Sequence, residues 1–301
     1  MQNRLDHLQN SHIQEAFLKS LEHPDMFSRH RQINTPAAGT FQWIFMRGSS
    51  RIDQVPTASQ SQGRFSKWLR SSQPVFWING KAGSGKSSLM SFIESHQRTN
   101  DLLKIWTGSH RLHVFSFFFW RAGSEIQNSV RGLLQCLLFQ LARAKPEIIG
   151  NLMSRDWSST ACTWTEARLQ RAIEMALTWF DDDRIFVLID GLDEFTGRYT
   201  SLIALLLGLQ NKSNSKFYFS SRPEAALERQ LGSFPSLKLQ HLNYNDIATY
   251  LHEELKSCGA AIRGPRKISR LVHDVTFRAE GIFLWAALVC ETSGIWIRIK
   301  R

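Results

Sequence analysis

The stretch Phe76-Trp77-Ile78-Asn79-Gly80-Lys81-Ala82-Gly83-Ser84-Gly85-Lys86-Ser87 decides the fold class of this chain. Its last eight residues match the pattern G-x-x-x-x-G-K-[ST], in which a glycine-rich loop joins a strand to a helix and wraps main-chain N–H groups around phosphate oxygens. A plain glycine-rich turn is the alternative, and the apolar run before the loop disfavours it. The predicted nucleotide-binding residues are Gly80, Gly83, Ser84, Gly85, Lys86, Ser87 and Ser88.

Within this loop the residue types predict separate roles. Lys86 is expected to reach the β and γ phosphates, and the hydroxyl of Ser87 is expected to ligate Mg²⁺. Ser88 is placed to add a contact from the first helical turn. The loop therefore predicts binding of a nucleoside triphosphate or diphosphate together with Mg²⁺.

A second element lies about a hundred residues further on, where the apolar run Ile185 to Ile189 ends in Asp190. A carboxylate at the carboxyl end of a buried parallel strand is typical of the Walker B motif, and Asp190 is expected to hold Mg²⁺ through water. Asp193 and Glu194 are candidates to orient or activate the attacking water. The alternative is that these two acids only cap the next helix or stay solvated.

A third element is Phe217-Tyr218-Phe219-Ser220-Ser221-Arg222, another apolar run that ends in polar residues. Ser221 or Arg222 could sense the γ phosphate, because a cation at that place gains interaction only when the third phosphate is present. An ordinary surface arginine is the alternative. Arg222 is therefore taken as the third candidate catalytic residue, beside Asp193 and Glu194.

Continuous apolar runs that alternate with longer helical patterns predict an α/β fold, a P-loop NTPase with a mostly parallel sheet flanked by helices and followed by a small helical segment. One helix also has a start signal, since Thr163 followed by Glu166 matches a capping box. The predicted strands are Val75 to Ile78, Leu112 to Trp120, Ile185 to Ile189, Phe217 to Phe219 and Leu237 to Leu239.

Composition changes along the chain predict three regions. Residues 1–70 read as an N-terminal helix and a loop-rich lead-in that contains one short aromatic segment, Phe41 to Phe45. Residues 71–240 hold the predicted strands, and residues 241–301 read as helical. No internal repeat of 20 to 50 residues is visible, which gives solenoids and propellers no support.

Composition also excludes several classes of protein. The 301 residues include 43% apolar and 21% charged residues, as expected of a folded soluble chain. The longest apolar run, Gly281 to Cys290, is too short to span a membrane. The net charge of +11 raises the question of nucleic acid, but the basic residues are scattered and do not favour that partner. The four cysteines form no CxxC pair, so we expect a reducing, cytoplasmic location.

Taken in order, these elements resemble the NACHT family of signal-transducing, STAND-class P-loop NTPases, and most closely its fungal nephrocystin-type members. The resemblance also includes the segments Thr40 to Phe45, Phe117 to Arg121, Asn243 to Ile247 and Ala279 to Trp285, so it covers roughly residues 24 to 290. It implies a nucleotide-dependent switch in which ATP binding and slow hydrolysis toggle a closed, ADP-bound state and an open state that self-associates.

The chain also departs from the usual pattern of the family. A winged-helix region and a C-terminal repeat array, which follow in most family members, are not recognisable, so the chain is expected to be truncated after the NTPase core, with residues 241–301 as the start of a helical lid. Two other functions stay open: a nucleic-acid-stimulated ATPase, and a non-catalytic interaction module. ATP is favoured over GTP because Asn211-Lys212-Ser213-Asn214 lacks the carboxylate of a guanine-reading N-K-x-D element.

Overall fold

A computed structural model describes residues 2–46, 63–156, 163–257 and 265–299 of the chain. Its strands are Val75–Asn79 (β1), Leu112–Phe118 (β2), Arg184–Asp190 (β3), Ser215–Ser221 (β4) and Ser236–Lys238 (β5). Its α-helices are Gln2–Leu21 (α1), Ser28–Arg31 (α2), Arg64–Arg70 (α3), Lys86–Ser95 (α4), Gln97–Thr107 (α5), Val130–Ala144 (α6), Glu147–Asp156 (α7), Glu166–Leu177 (α8), Tyr199–Asn211 (α9), Ala225–Leu231 (α10), Tyr244–Ser257 (α11), Pro265–Ala279 (α12) and Phe283–Ile299 (α13).

The five strands form one sheet in the order β2-β3-β4-β1-β5. β2 pairs with β3 and β3 with β4 in parallel, as do β1 and β5. Nearly every strand residue is buried, as expected when helices cover both faces of a parallel sheet. The predicted α/β fold is therefore confirmed.

Two predicted strands run past the observed ends: β5 stops at Lys238, because a 3₁₀ helix begins at Leu239, and β2 differs more. The sequence extends β2 to Trp120, whereas the strand ends at Phe118. The reason is that the Trp120 amide donates to the carbonyl of Gln127, 3.0 Å away, and so begins a turn. This turn leads into the loop of residues 119–128, which precedes α6.

The chain divides into two compact units, each built from two stretches of sequence. Unit 1 is Met1–Gln32 with Thr107–Phe219, and unit 2 is Ile33–Trp106 with Ser220–Arg301. This division follows spatial contacts, whereas the sequence-based boundaries at 70/71 and 240/241 stay a prediction.

Unit 1 is centred on α6, which packs against α8, β2 and α1. The N-terminal helix α1 is held by Phe17 and Leu21, both buried, and Phe17 makes an edge contact with Trp164 at 5.7 Å between ring centroids. Helix α8 begins at a cap that the sequence misplaces. The cap is Thr165, whose hydroxyl accepts the amide of Arg168, and not Thr163.

Unit 2 holds the pair β1 and β5 and the helices that follow β5. Helices α11, α12 and α13 contact one another around a cluster of buried side chains. The cluster consists of Ile247, Leu251, Val272, Ala279 and Ala286. The aromatic segment of the lead-in is a short 3₁₀ helix, Gln42–Phe45, and Phe45 lies against Phe65 and Phe92.

In the part of the chain that the structure describes, no helix combines the length and the apolar character that crossing a membrane requires.

Candidate functional site

The loop between β1 and α4, residues 80–87 and called here the phosphate loop, has the geometry that its sequence predicts. β1 is buried along its whole length, and α4 begins directly after Gly85, whose φ of 91° lies in the left-handed region that favours glycine. Gly85 has no side chain to cap α4. The first N–H groups of a helix are a ready site for an anion, so the main chain here is suited to phosphate.

The ammonium of Lys86 lies within the same loop. Its Nζ donates to the carbonyl of Gly80 at 2.7 Å and to the carbonyl of Lys81 at 3.1 Å. The positive charge of Lys86 is therefore held in the same loop as the first main-chain N–H groups of α4. Both features favour a polyanion.

The glycines of the phosphate loop are closely packed by protein side chains. A Cβ on Gly85 would lie 3.4 Å from the ring of Phe41, and a Cβ on Gly83 would lie 3.0 Å from Leu284 and 3.2 Å from Ile282. The lead-in and the start of α13 therefore pack directly against the loop's main chain, which a larger residue would obstruct.

Hydrogen bonds tie the loop to the segment that precedes α13. The Leu284 amide donates to the carbonyl of Gly83 at 3.0 Å. Asn243, fully buried, donates from Nδ2 to the carbonyls of Ser84 at 2.6 Å and Gly281 at 3.1 Å. Asn243 was not among the predicted site residues, although the segment Asn243 to Ile247 was part of the family resemblance.

The predicted sensor segment braces the first residue of the phosphate loop. The carbonyl of Ser221 accepts the Gly80 amide at 3.2 Å, and the Ser221 hydroxyl accepts from Trp77 Nε1 at 2.9 Å. Ser221 is completely buried, whereas Arg222 is exposed. The structure thus gives Ser221 a supporting role and leaves Arg222 as the sensor candidate.

Asp246 at the start of α11 anchors the lead-in. Its Oδ2 accepts the main-chain amide of Phe41 at 2.9 Å and the indole N–H of Trp43 at 2.8 Å. Phe41 has a φ of 62°, a conformation that costs a non-glycine residue about 1–2 kcal/mol. Phe41 and Trp43 are both buried, so their rings belong to the core.

Replacement of this anchor should destabilise unit 2. In Asp246→Ala two buried donors lose their acceptor, and each loss costs about 1–3 kcal/mol. We therefore expect the free energy of unfolding to fall by roughly 2–4 kcal/mol. Asp246→Asn keeps an acceptor oxygen and should cost less than about 1 kcal/mol. Urea denaturation of the three proteins measures this; equal stability of the alanine variant and the wild type would contradict the anchor.

The pH dependence of the same site follows from its burial. Burial raises the pKa of Asp246 above its ordinary value, although the bonds from Phe41 and Trp43 oppose the shift. The folded protein therefore keeps this proton to higher pH than the unfolded chain. The stabilisation that this provides is complete below the ordinary pKa and is lost as the pH rises through the raised value. Asp246→Asn should remove that contribution from the pH profile of the melting temperature.

The acidic residues belong to unit 1. Asp190 ends β3 and is buried, and a 3₁₀ turn, Leu192–Glu194, follows directly. Asp193 is also buried, and Glu194 is half-buried. The Glu194 carboxylate accepts the main-chain amide of Arg121 at 3.0 Å. The structure therefore assembles the candidate residues in two groups, the acids in unit 1 and the phosphate loop with Arg222 in unit 2.

The residues present fit a nucleotide with Mg²⁺. Ser84 Oγ is fully buried and has no hydrogen-bond partner among the described residues, so a phosphate oxygen could accept from it. In the same residues no group of three His, Cys, Asp or Glu side chains could hold a metal. Mg²⁺ needs no such group, because it is commonly bound by one or two protein ligands with water and phosphate oxygens.

Comparison with known families and sequences gives two similarities. A family model described as "Nephrocystin 3, N-terminal" matches residues 59–222, just over half of the chain. The "Vegetative incompatibility protein HET-E-1" of Podospora anserina is 26% identical over an alignment of 246 residues, and this alignment covers 77% of this chain and 17% of that protein. The chain thus spans about a sixth of the length of that curated relative.

Two solved structures are also similar, at low scores. A crystal structure of a DNA replication initiation factor is 12% identical, with a TM-score of 0.30. The match covers 72% of this chain and 58% of the chain in that structure. C. elegans PCH-2 has 12% identity and a TM-score of 0.33, with 78% and 64% covered.

Proposed function

Because this chain belongs to the Nephrocystin 3, N-terminal family and is a NACHT-domain protein of the fungal type, we propose that it is a nucleotide-dependent switch that binds Mg-ATP and hydrolyses it slowly to ADP. The family places it among P-loop NTPase nucleotide-binding modules. The choice of ATP, the hydrolysis and the switching are the proposal. ATP is preferred to GTP because Asn211-Lys212-Ser213-Asn214 lacks the carboxylate that reads guanine.

One observation carries the proposal. The ammonium of Lys86 is held inside the phosphate loop by the carbonyls of Gly80 and Lys81, next to the uncapped start of α4. A cation and a helix N-terminus together form a phosphate-binding device. Gly83, Ser84, Gly85, Ser87 and Ser88 complete the set of residues that we propose to contact the nucleotide.

For Mg²⁺ we propose Ser87 and Asp190 as ligands, on the strength of the sequence motifs to which they belong. The ion would neutralise charge on the phosphates during their hydrolysis. We propose that Asp193 and Glu194 orient the attacking water, and that Arg222 stabilises charge on the γ phosphate. Within unit 1, Asp193 is buried, and the carboxylate of Glu194 accepts a hydrogen bond from the main-chain amide of Arg121. Both features support a fixed arrangement of the acids.

At the level of the whole protein, we propose a role in signal transduction through nucleotide-dependent self-association. The name of the fungal relative, a vegetative incompatibility protein, is in keeping with signalling. A cytoplasmic location stays a prediction from cysteine usage.

The test is the identity and stoichiometry of nucleotide retained by the purified protein, with Asp190→Asn alongside the wild type. We expect about one ADP or ATP per chain in the wild type, and binding of added ATP that is tightened by Mg²⁺. In Asp190→Asn the factor by which Mg²⁺ tightens ATP binding should fall at least about tenfold. The variant should still bind nucleotide without metal. Glu125→Gln, an exposed acid elsewhere in unit 1, is the control.

Other results would favour the alternative functions. A wild type that binds no nucleotide with or without Mg²⁺ would contradict the proposal. Retained ADP without any phosphate release would indicate a non-catalytic module that uses nucleotide for stability. Phosphate release that is stimulated several-fold by DNA or RNA and abolished by salt would indicate a nucleic-acid-dependent ATPase.

A further inference from the structure

In unit 1 the loop after β2, residues 119–128 and called here the arginine loop, is joined to residues 190–196, the acid loop. The Phe119 amide donates to the carbonyl of Asp190 at 3.0 Å, and the Thr196 amide donates to the carbonyl of Asn128 at 2.8 Å. These two main-chain bonds lie at either end of the acid loop. The loops are therefore fixed to each other along their length.

Between these ends, Arg121 makes two further contacts. Its main-chain amide donates to Glu194 Oε2 at 3.0 Å, and its guanidinium Nη2 donates to the carbonyl of Asp193. Tyr199 adds a hydroxyl bond to the same Asp193 carbonyl at 3.1 Å. A single residue thus engages both acids that we propose to orient the attacking water.

A second group of contacts joins the arginine loop to an N-terminal turn, residues 25–30. Gln127, which is buried, donates from Nε2 to the Ser28 hydroxyl at 2.8 Å and to the Asp25 carbonyl at 3.3 Å. The Ser124 hydroxyl donates to Asp25 Oδ2 at 3.0 Å. Through Ser124 and Gln127, the arginine loop is therefore hydrogen-bonded to the N-terminal turn as well as to the acid loop.

Aromatic contacts reinforce this attachment. The guanidinium of Arg29 lies 5.6 Å from the ring centroid of Trp120, which directly precedes Arg121. His30 stacks on Phe118 at 4.5 Å between centroids, with the rings nearly parallel. The first contact is a cation–π interaction and the second is an aromatic stack, and both are attractive. They bring the N-terminal turn to the residues on either side of the start of the arginine loop.

From this chain of contacts we infer that Arg121 is a positioning residue for Asp193 and Glu194, and that the N-terminal turn sets Arg121 in place. The inference rests on the proposed function, since it concerns the water-orienting acids of that reaction. Arg121 contacts the carboxylate of Glu194 and the main-chain carbonyl of Asp193, two residues that we propose to act on the attacking water and not to bind the nucleotide. Its effect should therefore fall on the rate of hydrolysis and not on nucleotide affinity.

The first experiment compares steady-state ATP hydrolysis by Arg121→Ala, Arg121→Lys and Arg131→Ala. Small displacements of a reacting group can slow a reaction up to a hundredfold, so we expect Arg121→Ala to lower kcat about tenfold with KM for ATP unchanged within about twofold. Lysine can donate to the same carbonyl and should restore kcat to within about threefold of the wild type. Arg131, an exposed arginine on α6, is the matched control and should keep the wild-type rate.

The second experiment tests the N-terminal turn with nucleotide-free protein. Asp25→Ala combined with Ser28→Ala should speed hydrogen exchange of the amides in the arginine loop, including that of Arg121, and lower kcat at least about threefold. Glu22→Ala, an exposed acid just before the turn, is the control and should change neither quantity.

The outcomes separate this inference from the proposed function. Normal ATP binding with an unchanged kcat in Arg121→Ala, or a loss of affinity in place of rate, would overturn the inference and leave the nucleotide site intact. Unchanged exchange and kcat in the double variant would overturn the role of the N-terminal turn. A wild type that binds ATP but releases no phosphate would also overturn the inference, whereas one that binds no nucleotide would overturn the proposed function and the inference with it.

Discussion

Lys86→Ala should raise the dissociation constant for Mg-ATP at least about 100-fold, which corresponds to roughly 2.7 kcal/mol. The variant loses the one cation that the phosphate loop holds against its own carbonyls, 2.7 Å from Gly80 and 3.1 Å from Lys81. Charge-assisted bonds to an ionised group contribute about 1.5–3 kcal/mol each, so the loss of one or two of them to phosphate accounts for the expected change. Isothermal titration with ATP measures the constant directly.

Lys81→Ala is the matched control because it removes a cation from the same loop. Lys81 is exposed and forms a surface ion pair with Glu280 at 2.8 Å, a type of contact that contributes little to stability. Its carbonyl, which accepts from Lys86, stays in place. We expect affinity within about threefold of the wild type. Equal affinity of Lys86→Ala and Lys81→Ala for ATP would contradict a phosphate-binding role for Lys86.

Gly281→Ala should lower the free energy of unfolding by about 4 kcal/mol or more. Losses of this size are exceptional and arise from causes such as backbone strain or overpacking. Gly281 has a φ of 78°, and a Cβ there would lie 1.9 Å from the main-chain oxygen of Gln240. Neither backbone can yield without disturbing the carbonyl of Gly281, which accepts from Asn243. The change would therefore disturb the segment that contacts the phosphate loop. Thermal unfolding followed by circular dichroism measures the loss.

Gly208→Ala tests the opposite expectation with the same substitution. Gly208 lies within α9, and a Cβ there would meet nothing within 4 Å. Alanine is better than glycine in a helix by about 0.8–1 kcal/mol, so this variant should be as stable as the wild type or more so. If both variants melted at the same temperature as the wild type, the close approach at Gly281 would be refuted.

Much of the fold could be predicted from the sequence because the local signals are strong. Strands buried on both faces appear as continuous apolar runs, and each of the five predicted runs overlaps an observed strand. The phosphate loop was predictable for a related reason, since its function depends on residue types at fixed spacing in one continuous stretch. The loop lies between β1 and α4, as the pattern predicts, and the roles of its residues in phosphate binding stay a prediction.

Other features could not be predicted because they depend on contacts between distant parts of the chain. Asp246 and Phe41 are 205 residues apart, and nothing in either local pattern indicates their bond. The same is true of Arg121 and the acids. The helix cap was misplaced for another reason: Thr163 and Thr165 both suit a cap, and only the observed start of α8 at Glu166 decides between them.

Because each unit is built from two separate stretches of sequence, a shortened gene can remove part of both units. The family match covers residues 59–222, but each unit takes residues from outside that stretch. A clone trimmed to the match would lack the N-terminal turn that supports the arginine loop. It would also lack Asp246, Asn243 and Leu284, which support the phosphate loop and its lead-in. The portion of the gene that is easiest to recognise is thus smaller than the portion needed to make a folded product.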